Sequence, residues 1–325
     1  MPGPYAWAPP PDAIERSNVG RFMLRHGIDG YAELVRRSTA DVEWFWDAVV
    51  QDLGIEFDQP YERVVDASRG VAWARWFVGG RINVARNCVE RHARSHRREQ
   101  VALIWEGEDE EVRRLTYGDL DAETSRFAHA LRELGIERGD RVGLFLPMMP
   151  EAVVAFMACA KAGAITIPIF SGFGAPAVAA RLDDGGAKLL VTADGFLRKG
   201  AVVESGRVAA EAAALVPSLR HVVVVRRIGR SDASSHGFGL DWEEVTAGRP
   251  AEAPTESMDA EDPFLIAYTS GTTGRPKGAV HVHGGLLVKL AQEVAHQVDL
   301  QDGDVLHWVT DMGWIMGPWE VVGGL

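Results

Sequence analysis

The spacing of apolar residues changes along this chain, and the changes mark out its elements. Over residues 1–80, Tyr31–Arg37 and Val42–Leu53 repeat at helical intervals and no stretch alternates as a strand would, which predicts an N-terminal helical layer. The opening MPGPYAWAPPP is proline-rich and predicts an extended or disordered surface segment, because proline fits neither a helix interior nor a central sheet. From Val101 the pattern shifts. Val101–Glu106 and Val112–Tyr117 flank an acidic, glycine-containing turn and predict a hairpin, and Asp119–Leu134 then sets Leu120, Phe127, Leu131 and Leu134 at helical spacing before Gly135 stops it.

Strand and helix alternate after that. Arg141–Leu146, Ala164–Phe170, Lys188–Ala193 and His221–Val225 are near-continuous apolar strands, separated by the helices Glu151–Ala162, Ala175–Leu182 and Val202–Leu215. Strands apolar on both sides leave no face for water, so the pattern predicts an α/β fold of parallel-rich sheets covered by helices, with the helical layer as an N-terminal extension. Residues 229–260, rich in Ser, Gly, Pro and acids, predict a surface excursion. The organisation expected is a helical region over 1–80 and a sheet-bearing region over 81–325, with no internal repeat.

Composition narrows the function classes. With 34 Lys plus Arg against 46 Asp plus Glu, the net charge is −12, which disfavours a nucleic-acid or anionic-membrane surface because polyanions are repelled. An anionic ligand therefore needs a local site. Cys88 and Cys159 have no metal-ligand spacing and predict buried free thiols, in keeping with a reducing cytoplasm. The N-terminus lacks the basic and apolar regions of a signal peptide, and the apolar run Glu151–Phe170 is interrupted by Lys161 and Pro168, so no membrane span is expected.

The segment that carries chemistry is Phe264–Gly285, FLIAYTSGTTGRPKGAVHVHGG, read as a strand running into a loop and then a helix. Gly271, Gly274 and Gly278 let backbone amides approach a polyphosphate, while Thr269, Ser270, Thr272 and Thr273 offer hydroxyls to phosphate or magnesium and Lys277 supplies positive charge. Charge-assisted hydrogen bonds contribute about 1.5 to 3 kcal/mol each, so several together can hold ATP against the overall negative field. A phosphoryl-transfer P-loop reads G-x-x-x-x-G-K-[ST]; here Pro276 precedes Lys277 and Gly278 follows it, which argues against that class.

The stretch YTSGTTGRPKG, Tyr268–Gly278, resembles the phosphate-binding signature of the adenylate-forming superfamily of acyl-CoA synthetases, luciferases and peptide-synthetase adenylation domains. Within it the chain is similar to the acetyl-CoA synthetase branch. The segments carrying that similarity are WFVGGRINVARNCVERH (Trp76–His92), LPMMPEAVVAFMACAKAGA (Leu146–Ala164), GAKLLVTADGFLRKG (Gly186–Gly200) and VTDMGWIMGPWEVVGGL (Val309–Leu325). The resemblance implies a two-step ligase: a carboxylate attacks the α-phosphate of ATP to give an acyl-adenylate and pyrophosphate, then the thiol of coenzyme A displaces AMP. Ser270, Gly271, Thr272, Thr273, Gly274 and Lys277, with Thr269, would contact the phosphates, with Thr272 and Lys277 as the catalytic contacts and Thr272 nearest magnesium.

By the same resemblance Trp314, Ile315 and Met316 would wall the acyl pocket. Acetate-specific members usually carry Val-Thr at the positions of Ile315 and Met316, so a short-chain acid is expected rather than acetate alone. Core packing is the alternative reading of that cluster, since apolar stripes are often core. Arg198 in FLRKG, with Lys199 beside it, would hold coenzyme A phosphates or form a solvated charged pair; His281 and His283 would approach ATP or simply pack; Asp311 would serve the site or a turn. The partners implied are small molecules: ATP, a carboxylate and coenzyme A. The superfamily's later glutamate- and aspartate-bearing segments and small C-terminal domain are not found here, so the expectation is about half an enzyme, inactive by itself. A non-catalytic interaction module, or an enzyme that passes its acyl group to a carrier protein, are the alternatives.

Overall fold

The computed structural model describes residues 10, 12–229, 239–269 and 276–325. Three helices, Asn18–Arg25, Tyr31–Ala40 and Val42–Asp52, form the expected N-terminal layer. Ser17 and Asp41 cap two of them by accepting the N–H of Gly20 and Trp44. The layer is not helical throughout, because β1 (Arg63–Asp66) pairs antiparallel with β2 (Arg75–Val78), and β3 (Arg81–Ile82) follows. Four-residue strands of Arg, Val and Trp are too short to show an alternation.

The expected hairpin forms from β4 (Val101–Glu106) and β5 (Val112–Thr116). The helix Tyr117–Glu133 starts at a capping box in which Thr116 accepts the Asp119 N–H and Asp119 accepts the Thr116 N–H. Next come β6 (Arg141–Phe145), β7 (Ile165–Pro168), β8 (Leu189–Ala193), the short pair β9 (Phe196–Arg198) and β10 (Ala201–Val203), then β11 (His221–Val225) and β12 (Leu240–Asp241). After β13 (Met258–Asp259), β14 (Pro263–Thr269) and β15 (Lys277–Val282) complete the strands. One seven-stranded sheet, in the order β12-β11-β8-β6-β7-β14-β15, organises the protein; all its neighbours run parallel except β14 and β15.

Both faces of its central strands β6, β7, β8 and β11 are buried, as near-continuous apolar strands require. Val142, Leu144, Leu189, Val191, Val223 and Val225 face one core, shared with the helix Pro150–Lys161 and the N-terminal layer. Phe145, Ile167, Leu190, Val222 and Val224 face a second core with the helices Ala175–Asp184 and Ser205–Ala213. Pro150–Lys161 is buried along its whole length, because it packs on the sheet strands β6 and β7 and on the helix Tyr117–Glu133. Gly143 permits close approach on the second face, where a Cβ would lie 2.3 Å from Leu182.

Three expectations are corrected. Residues 239–260 are not a surface excursion: β12 extends the sheet, Trp242 stacks on Phe127 at 4.2 Å, and Met258 is 2% exposed where β13 pairs with β3. Val202 lies in β10, and the helix begins only at Ser205. The loop after β14 leads into β15, not a helix; the helix starts at His283. Cys88 and Cys159 are buried free thiols, pushed up to about 12 chiefly by desolvation. No described helix is long and apolar enough to cross a membrane.

Candidate functional site

The chain passes from β6 to β7 on one side of β6 and then crosses to β8 on the other. Such a reversal opens a crevice at the carboxyl ends of parallel strands, where ligands bind in open α/β sheets. Thr269, Lys277, Arg198 and the Trp314–Met316 turn lie on segments at that edge, whereas His281 and His283 lie toward the other end of β14. β14 runs parallel to β7, with Leu265 level with Thr166, so its last residue, Thr269, lies toward the carboxyl end of the sheet. Thr269 pairs with Lys277 across the β14–β15 hairpin, placing both at the end where the two strands connect. Both side chains are exposed, and among the described residues Lys277 has no ion-pair partner. The intervening candidates Ser270, Gly271, Thr272, Thr273 and Gly274 lie outside the described residues.

The base of this hairpin is tied down. Tyr268 donates its hydroxyl to Asp184 at 2.6 Å, and burial followed by that hydrogen bond raises the phenol's pKa. His283 is fully buried against Phe264, with ring centroids 5.0 Å apart, and its Nδ1 accepts the Val84 N–H at 3.3 Å. Desolvation lowers its pKa to about 3, so it is a neutral packing residue and not a ligand contact. His281 is partly buried and lowered by desolvation as well.

The second part of the site is the turn before the helix Met316–Gly324. Buried Asp311 accepts the Ser171 hydroxyl at 2.5 Å, the Ser171 N–H at 3.2 Å and the Gly313 N–H at 2.8 Å. It therefore serves as a turn residue and also fastens that turn to the end of β7. Desolvation, only partly offset by these bonds, raises its pKa. Gly313 packs flat on the Phe170 backbone, where a Cβ would meet the Phe170 nitrogen at 2.1 Å. Trp314, 58% exposed, lies edge-on to the Phe170 ring at 6.0 Å; Ile315 is exposed and Met316 half-buried. Trp314 and Ile315 are surface side chains, and it is Trp319 that fills the core behind them.

Arg198 ends β9, its guanidinium carbon 5.8 Å from the Phe170 ring. Phe170 thus neighbours both the candidate acyl wall and the candidate coenzyme residue. Sequence reasoning missed Phe170, Ser171 and Asp184, which carry no motif of their own and matter only through contacts 84 to 144 positions away. The glycine run at 271–274 signals a loop, but nothing comparable marks these residues.

Comparison with known proteins matches the chain in two parts, meeting at residues 88 and 89. The profile of the AMP-binding enzyme family matches residues 89–325, and that of the acetyl-coenzyme A synthetase N-terminus matches residues 31–88. The acetyl-coenzyme A synthetase of Mycobacterium tuberculosis (strain H37Rv) is 44% identical over 291 residues, 88% of this chain and 44% of that protein. That of Methanothrix soehngenii is 36% identical over 313 residues, 95% of this chain and 46% of its own length. The solved acetoacetyl-CoA synthetase from Streptomyces lividans superposes with a TM-score of 0.91 at 32% identity, covering 98% of this chain and 49% of that one. The chain spans about half the length of the relatives it matches.

Proposed function

This chain belongs to the AMP-binding enzyme family, and from that premise we propose that it carries the phosphate-gripping and acyl-recognition parts of an AMP-forming acyl-CoA ligase acting on a short-chain carboxylic acid. Thr269, Ser270, Gly271, Thr272, Thr273, Gly274 and Lys277 hold the ATP phosphates, with Thr272 and Lys277 contacting the reacting end. Donors placed there stabilise the charge that shifts to pyrophosphate as the carboxylate attacks. Thr272 would be the hydroxyl nearest a magnesium ion, which would supply charge neutralisation at the phosphates. Trp314, Ile315 and Met316 wall the acid, with a flexible apolar side chain at Met316 shaping a site for a short acyl group. Arg198 receives coenzyme A, and two buried thiols suit a reducing cytoplasm.

The observation that carries this reading is the pairing of Thr269 with Lys277 where the hairpin strands connect, at the carboxyl end of the parallel sheet, the end at which the chain leaving β7 meets Trp314 through Phe170. The test is calorimetric titration of the 325-residue chain with ATP and magnesium. We expect magnesium-dependent binding that Lys277→Ala weakens by roughly tenfold, the worth of about one charge-assisted hydrogen bond. No magnesium-dependent affinity, or equal affinity in the variant, would sink the assignment. Because a ligase transition state needs groups on both sides of the nucleotide, the complete activity is proposed for a polypeptide of the relatives' full length, and this span by itself is expected to be near background.

A further inference from the structure

The turn that carries Arg198 is held from outside its own strands. Arg198 pairs with Ala201, and the two residues between them, Lys199 (φ 52°) and Gly200 (φ 73°), both lie in the left-handed region of a tight two-residue hairpin. Lys199 bears a side chain where glycine or asparagine is usual, so the turn is disfavoured unless something fixes it. Glu108 does so. Its Oε1 accepts the Lys199 N–H at 2.7 Å and its Oε2 accepts the Gly200 N–H at 2.9 Å.

Glu108 itself sits on a fixed support, the tip of the β4–β5 hairpin. The next residue, Asp109, takes both oxygens to Arg227 at 2.7 and 2.6 Å, and the Arg227 guanidinium lies 4.9 Å from the Trp105 ring. The Trp105 indole N–H in turn donates to the Met148 carbonyl at 2.8 Å, next to the end of β6. A rigid path therefore runs from the central sheet to the tip, from the tip to the turn, and through Arg198 to Phe170 and Trp314.

We propose that Glu108 is a positioning residue: it clasps the Lys199–Gly200 turn so that Arg198 and Lys199 meet an anionic thiol substrate as a preformed cationic edge. The inference rests on the assignment of coenzyme A to Arg198 made above, and it deepens that assignment by naming what prepares the edge. Preorganisation lowers the ordering cost of binding. It acts here against an obvious opposing effect, since an acid beside a phosphate site repels its ligand. The two roles predict opposite signs for removal of the charge, which makes them separable.

The experiment compares the unmodified 325-residue chain with Glu108→Gln and Glu110→Gln, measuring coenzyme A affinity by calorimetry and amide hydrogen exchange at residues 199 and 200. Glutamine keeps the size of Glu108 but turns an NH2 group toward one of the two N–H donors, so the clasp opens. Glu110, exposed on the same tip, removes the same charge without touching the turn. Glu108→Gln is expected to bind coenzyme A roughly tenfold more weakly, with faster exchange at both amides, while Glu110→Gln binds as well as the unmodified chain or better. Equal or tighter binding by Glu108→Gln overturns the proposal. If the unmodified chain binds no coenzyme A, that failure belongs to the coenzyme assignment, and exchange alone decides the clasp: faster exchange at both amides in Glu108→Gln supports it, and unchanged exchange overturns it.

Discussion

A buried imidazole ring makes His283 the most acid-sensitive residue near the site. Its pKa is about 3 in the folded chain against 6.5 in free imidazole. Between those values the unfolded chain binds the extra proton, so stability falls as pH drops from 6.5 toward 3. One such group contributes a slope approaching about 1.4 kcal/mol per pH unit. Among the described residues its Nε2 is buried without a hydrogen-bond partner, and the charge of Asp262 only partly offsets the cost of a proton there. His283→Asn, whose amide oxygen can replace Nδ1 as acceptor for Val84, is expected to flatten the slope by close to one proton. Urea melts at about pH 4.5 and 6.5 measure it; an unchanged slope refutes the account. Lys277 and Thr269 stand out in the sequence as candidates because a lysine among glycines and hydroxyls has few other uses. Glu108 does not, because a carboxylate in an acidic turn reads as solvated until its distance to Lys199 is known.

At the scale of elements, long periodic segments were legible and short ones were not. The helix Tyr117–Glu133 and the strands β6, β8 and β11 follow from their apolar spacing within a residue or two. The five-residue helix Trp242–Thr246 did not, since its polar surroundings resemble a loop. Only packing on Phe127 identifies it as core. Trp242→Ala is therefore expected to cost about 3 kcal/mol or more in chemical denaturation, the range for deleting a buried aromatic side chain. A loss below about 1 kcal/mol would return the segment to the surface role that its composition suggests. β15 was missed for a related reason. Its sequence KGAVHV has no clean alternation, exposed residues fill its first four positions, and β14 supplies the ladder that makes it a strand.

Across the whole molecule, the layers are joined by a buried charge cluster. Lys161, at the end of the fully buried helix, reaches Glu90 at 3.3 Å and Asp121 at 3.1 Å, and Thr255 donates its hydroxyl to the same Glu90 oxygen. Four separate stretches of chain meet there: residues 86–90, the helix Tyr117–Glu133, the helix Pro150–Lys161 and the segment before β13. Lys161→Met removes the cation and leaves carboxylates buried beside an apolar chain. The expected loss is about 3 kcal/mol, at the low end for a broken buried pair because Arg94 still reaches Glu90 at 2.6 Å. It should persist at high salt, where a surface pair would be screened; a loss that vanishes in salt contradicts the buried reading.

The sequence by itself determined the class of the fold, the free thiols and the family to which the chain belongs, because apolar period and residue chemistry are local properties. The tertiary structure decided that β15 is a strand, that Trp242 belongs inside, and that Phe170 touches both Arg198 and Trp314. Those facts depend on which distant segments become neighbours. Strand order and side-chain contact arise from burying two sheet faces at once, a condition that no single stretch of chain contains.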